Sequence, residues 1–185
     1  MKEDGTREKI LSAAREVFSN KGYTRATTKE ISKVAGIAEV TLFRHFETKS
    51  NLFYETISKY LIVTMLDSKV MDGSIDARQS IINLTQERID TLRNNKDLFI
   101  CTIYEAQFND EIKNMLQMIH SKVFDVLKLY MQFNQEKIKD VKIEHMAQIF
   151  LSTIVGVMIF ETISGSKGFV DSEDLIKTIR TLIFE

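Results

Sequence analysis

The stretch TTKEISKVAGIAEVTLFRHFETK, Thr27 to Lys49, constrains the fold of this 185-residue chain more than any other. Thr27 followed three residues later by Glu30 is a capping box, in which each side chain satisfies a backbone amide that a helix start leaves open. Ile31, Val34 and Ala35 recur at helical spacing and make one face apolar. Gly36 follows where a helix end calls for left-handed backbone. A second short helix is predicted to begin near Glu39. Its Leu42 and Phe46, four apart, can pack back onto the first helix and turn Thr41, Arg44 and His45 elsewhere. Ala38 gives this helix no side-chain cap, a local cost of about 1 kcal/mol. Two short helices joined by a tight glycine turn form a helix-turn-helix, whose second helix can enter a DNA major groove.

The rest of the chain reads as helix as well. It has no proline, a residue that ends or kinks helices. A first helix is expected from about Thr6 to Lys21, with Ile10, Leu11, Ala14, Val17 and Phe18 buried and Gly22 as its stop. A fourth starts near Lys49 and keeps its spacing to about Val70, and Asp72-Gly73-Ser74 then reads as a turn. Further helices are expected over Asp76–Asn94, Leu98–Phe108 and, capped by Asn109-Asp110, on to about Asn134. Gln135 to Asp140 reads as a linker. Ile143–Ile163 and a helix after Asp171 close the chain. The fold class is all-α, with about nine helices.

Composition excludes several classes. With 44% hydrophobic and 28% charged residues, the chain reads as an ordinary soluble protein and not a disordered one. Cys101 is the single cysteine, so no internal disulfide can form and a reducing compartment is favoured. No signal peptide is expected, because Met1 to Lys9 is mostly charged and no long apolar run follows. The longest apolar run, Ile149 to Phe160, is interrupted by Ser152 and Thr153 and is shorter than the roughly 18 residues of a membrane span. Net charge is −1, but residues 1–50 hold ten Lys and Arg against seven Asp and Glu. The positive excess lies with the helix-turn-helix, where phosphates would sit.

The last two helices differ in kind. From Met146 onward, Ile143–Ile163 is apolar on nearly all sides, and such a helix must be covered all round. The final helix carries the stripe Leu175, Ile176, Ile179, Leu182 and Ile183. A second copy of the chain is therefore expected to complete a four-helix interface through Phe150, Ile154, Val157, Met158, Leu175, Ile179, Leu182 and Ile183. Gly156 fits a close backbone approach there.

Ile10, Ala14, Val17-Phe18, Gly22-Tyr23, Thr27, Ile31, Ala35-Gly36, Thr41-Leu42, His45-Phe46, Lys49 and Leu52 together resemble the DNA-binding domain of TetR-family transcriptional regulators. The resemblance covers about the first quarter of the chain. Departures are Ser32 where relatives often have Ala, Ala38 for Ser, and Phe43 for a Tyr whose hydroxyl often touches phosphate. The resemblance implies a DNA-binding domain over residues 1–48 and an effector-binding and dimerisation bundle over 49–185. Base contacts are expected from Glu39, Val40, Thr41 and Arg44, with Lys29 at the groove edge and Phe43 beside them. Thr27, His45 and Lys49 are expected on phosphates. An apolar effector pocket is expected among Met65, Phe99, Tyr104, Phe108, Met115, Met118, Phe124 and Phe150. Met residues adapt to varied ligands, although such stripes also build ordinary cores.

The implied activity is that of a cytoplasmic, sequence-specific repressor that binds a pseudo-palindromic DNA operator as a homodimer and is released by a small apolar molecule. No cofactor is expected. His120, His145 and Cys101 have no partner at metal-ligand spacing, so no metal is expected, and no phosphate loop or nucleophile elbow marks an enzyme. Two alternatives stand: an all-helical carrier or enzyme for an apolar small molecule, which would ignore DNA, and a helical scaffold that only dimerises.

Overall fold

A computed structural model describes residues 2–62, 76–134, 142–165 and 172–184. Among them are nine α-helices and no strand: α1 (Lys2–Arg25), α2 (Thr28–Ala35), α3 (Glu39–Phe46), α4 (Lys49–Ile57), α5 (Ala77–Asn94), α6 (Lys96–Glu105), α7 (Asp110–Phe133), α8 (Ile143–Ser164) and α9 (Ser172–Phe184). The expected all-α architecture is the one observed. α1 is interrupted at the glycine singled out as its stop: Gly22 has φ 78° and ψ 170°. α4 does not continue as regular α-helix to Val70. It passes at Ser58 into a π-helical turn over Ser58–Ile62. The expected continuation to Val70, the Asp72–Ser74 turn, the Gln135–Asp140 linker and the Asp171 cap lie outside the described residues.

The helices belong to two compact units, one drawn from Met1–Val63 and Asn95–Met118, the other from Thr64–Asn94 and Ile119–Glu185. In the first unit α1 packs against α2, α4 and α6. Its buried stripe is the expected one, Ile10, Leu11, Ala14, Val17 and Phe18. Phe18, Tyr23 and Phe53 form an aromatic knot, Phe53 lying 4.8 Å from Phe18 and 4.9 Å from Tyr23 by ring centroids. α7 begins in this unit, with Asn109 Oδ1 accepting from the Glu111 amide at 3.0 Å as its cap.

In the second unit α5 packs against α8 and α9, and Arg93 pairs with Glu161 across α5 and α8. Met146, Phe150, Ile154 and Met158 recur every four residues of α8 and are buried. Its other side is bare: Ile149, Val155, Phe160 and Ile163 are exposed, Ile163 at 77%. Two sequence expectations change as a result. First, α8 is, by length and composition alone, long and apolar enough to cross a membrane, with mean hydropathy 1.8 over its most apolar window. The helix extends past the run Ile149–Phe160, and its few polar residues do not lower that average enough. Second, Phe150, Ile154, Met158, Ile179 and Ile183, expected to meet a partner chain, are buried within their own protomer. The repeat that marks a helix apolar does not say which of its two apolar faces the chain covers itself. Of the eight, only Leu182 is exposed, with Val157 and Leu175 partly so. A Cβ at Gly156 would meet nothing within 4 Å among the described residues, so none of them makes a close backbone approach there.

Candidate nucleic-acid interface

The reading head is built as its sequence dictates. Thr27 caps α2 with an extended backbone, its hydroxyl accepting from the Glu30 amide at 3.2 Å while Glu30 accepts from the Thr27 amide at 3.3 Å. Lys21 donates to the same Glu30 carboxylate at 2.5 Å and holds it below the usual carboxylate range. Gly36 ends α2 in left-handed backbone, φ 68°, and its amide reaches the Lys33 carbonyl. α3 starts at Glu39 without a side-chain cap, because Ala38 precedes it.

One side of α3 is fully committed to packing. Leu42 and Phe46 have no exposed surface, and Arg7 lies 5.2 Å from the Phe46 ring centroid. Burying two such side chains stabilises the head by about 1.5–3 kcal/mol each. Helical spacing then turns Phe43 and Arg44 outward, and Val40 in the first turn faces out as well: Val40 is 75% exposed, Phe43 41%, and Arg44 is exposed. Two exposed apolar side chains and an arginine, along one short helix braced from behind, suit a surface that reads base edges.

The other expected contacts divide. Thr27 and Lys29 are exposed, whereas Thr41 and His45 are half-buried. His45 Nε2 is shielded from solvent and meets no hydrogen-bond partner among the described residues. Glu39 is also half-buried, and its Oε1 accepts from the Thr28 hydroxyl at 2.5 Å. Lys49 is engaged inside the protein: Nζ donates to the Tyr23 and Ala26 carbonyls at 3.0 and 3.1 Å and sits 4.4 Å from the Tyr23 ring centroid. Sequence reasoning placed it at a helix start facing phosphate. Its first role is to tie the start of α4 to the end of α1.

That tie belongs to a polar network which sequence reading missed. The Tyr23 hydroxyl donates to Glu111 at 2.8 Å, and burial, followed by this bond, pushes its pKa up to about 12. Glu111 is held low by Ser50 and then by Tyr23. Thr24 donates its amide and hydroxyl to Glu105 at 3.2 and 2.6 Å. Gly22 leaves room for this approach: a Cβ there would lie 2.2 Å from Glu105 Oε1. Tyr23 and Glu111, like Thr24 and Glu105, are more than eighty residues apart in sequence, and no periodicity signals them.

The expected effector-pocket residues are scattered in exposure. Phe99, Met115 and Phe150 are buried, Phe124 is half-buried, and Tyr104, Phe108 and Met118 are exposed. Met65 lies outside the described residues. An open hollow of about 450 Å³ lies on the head instead, with Glu16, Lys21, Glu30 and Lys33 among its lining, and none of the expected pocket residues borders it. No group of three or more metal-ligating side chains occurs among the described residues.

A short helix with a buried back and an open front, set in a three-helix head within an all-α chain, defines a helix-turn-helix DNA-binding protein. Residues 10–56 match the family model of bacterial regulatory proteins of the tetR family. The chain is 28% identical over 157 residues to the HTH-type transcriptional regulator YvkB of Bacillus subtilis (strain 168), covering 83% of this chain and 82% of that one. Over 52 residues, 28% of each chain, it is 42% identical to the HTH-type transcriptional regulator QacR of Staphylococcus aureus. Its fold matches the crystal structure of a transcriptional regulator from Saccharomonospora viridis in complex with choline, with TM-score 0.71, 18% identity, and 98% and 99% of the two chains covered. Residues 10–56 carry a DNA-binding domain of the tetR family, and the chain is a helix-turn-helix transcriptional regulator similar to members of that family.

Proposed function

We propose that the chain acts in the cytoplasm as a homodimeric repressor which binds a pseudo-palindromic operator and leaves it when a small molecule binds. The observation that carries this reading is the outward face of α3, where Val40, Phe43 and Arg44 stand exposed in front of the fully buried Leu42 and Phe46. Val40 suits a thymine methyl and Arg44 a guanine edge. Thr27, His45 and the remaining N–H of Lys49 are assigned to phosphates, Lys29 to the groove edge, and Thr41 and Phe43 to the rim of the base-reading surface. Functionally, residues 1–48 read DNA and 49–185 regulate.

The partner copy is assigned to the bare side of α8, Ile149, Val155, Phe160 and Ile163, together with Leu182 of α9, because apolar surface of this kind is rarely left in water. Two heads held by such a seam meet half-sites about 34 Å apart or somewhat more. The choline in the Saccharomonospora viridis regulator supports a small-molecule effector in a fold of this kind. A ligand that favours one head spacing over another by about 1–3 kcal/mol is enough to release DNA. The test is selection of bound duplexes from a random pool, followed by the mass of the complex. A symmetric motif carried by two chains is expected. A single chain per duplex, or no enriched motif, overturns the reading.

A further inference from the structure

Thr28 is the first residue of α2 and Glu39 the first of α3. The turn between the two helices brings their side chains together, Thr28 Oγ1 donating to Glu39 Oε1 at 2.5 Å in a partly buried bond. A free glutamate side chain samples many rotamers and must give up that freedom when it binds, whereas a tethered one has already done so. The hydroxyl has one proton to give, and Oε1 takes it. No donor among the described residues meets Oε2. The carboxylate therefore stands at the start of the recognition helix, half-exposed, with one oxygen fixed and one open.

A carboxylate can only accept. In the major groove guanine presents two acceptors, and thymine presents an acceptor and a methyl group. Adenine offers an amine, but its N7 acceptor stands beside it on the same edge and repels a carboxylate. Cytosine offers its N4 amine with no acceptor on the same base edge. Resting on the reading that α3 enters the major groove, we infer that Glu39 reads a cytosine in each half-site and that Thr28 is the positioning residue that aims it. Without the tether the acidic group would be a mobile negative charge near phosphates, costing affinity without choosing a base.

The experiment measures affinity of the full-length protein for its selected duplex, with each of the four bases placed in turn at every half-site position. The wild-type chain is expected to prefer cytosine at one position per half-site by about tenfold. Glu39→Gln is expected to move that preference to adenine, whose N6 and N7 suit an amide that both donates and accepts. Thr28→Val is expected to shrink the cytosine preference to about threefold or less, and Thr28→Ser, which keeps the hydroxyl, to preserve it. Thermal midpoints report whether each variant folds, and Thr28→Ser keeps the question open to test should Thr28→Val not fold. If Glu39→Gln retains the wild-type base preference, or Thr28→Val loses affinity equally for all four bases, the pair is only a brace between helices and the inference is wrong. A wild-type chain that selects no sequence at all overturns the regulator reading, and this one with it.

Discussion

Replacing Lys49 by Met keeps the aliphatic stem and removes the ammonium, which the structure places between two duties. Its bonds to the Tyr23 and Ala26 carbonyls, 3.0 and 3.1 Å, come from a charged donor, and its position 4.4 Å from the Tyr23 ring centroid adds a cation–π term. Hydrogen bonds to charged groups are worth about 1.5–3 kcal/mol each, and the ring contact about 0.5–1 kcal/mol at an exposed site. Lys49 is only half-buried, so solvent screening reduces the total. A loss of about 2 kcal/mol is expected, read by urea denaturation followed by circular dichroism. If the remaining N–H also meets a phosphate, the slope of log affinity against log salt falls by about 0.9 per phosphate, nearly 2 for a dimer. The two readouts separate the roles. Unchanged stability refutes the tie between α1 and α4, and an unchanged slope removes Lys49 from the phosphate contacts.

Three further outcomes follow from the same region and from α8. The Tyr23 pKa is raised to about 12 from the usual 10, so folded and unfolded chains bind protons alike below pH 10 and stability falls between about pH 10 and 12. Tyr23→Phe should remove that part of the alkaline loss in a stability–pH profile, and an identical profile would contradict the assignment. Gly22→Ala should cost more than 1 kcal/mol, because φ is 78° and the new Cβ would lie 2.2 Å from Glu105 Oε1. Glu105→Ala should relieve the clash but not the backbone strain, so a double mutant no more stable than Gly22→Ala alone would refute the steric part. Phe160→Glu on the bare side of α8 should convert the dimer to monomer in analytical ultracentrifugation without loss of helix, whereas Phe150→Glu, on the buried side, should unfold the second unit. A dimer that survives Phe160→Glu places the seam elsewhere.

Much of the head was legible because its signals are local. Thr27 and Glu30 lie within one helical turn, Gly36 and Gly22 mark backbone that other residues adopt at a cost, and Leu42 and Phe46 fix which way α3 faces. The missed features depend on chain closure. Nothing in the spacing of Thr28 and Glu39, or of Tyr23 and Glu111, shows that turns will bring them together. Lys49 was assigned to phosphate through the resemblance, which is blind to the two carbonyls waiting at the end of α1. On α8 the pattern showed a helix apolar on both sides but could not tell the face the chain buries from the face it leaves bare. Met and aromatic residues gave the least guidance for a pocket, because Phe99 in a core and Phe108 in solvent look alike in sequence.

On the proposed reading, the outer face of α3 lies in the major groove. A cysteine at position 40 (Val40→Cys, with Cys101→Ser), challenged with operator duplexes carrying a thiol tethered to a major-groove base edge, tests it most directly. A disulfide to bases inside each half-site is expected, and none from an Ile163→Cys control. Reaction from position 163 and none from position 40, on a duplex the protein still binds, would contradict it.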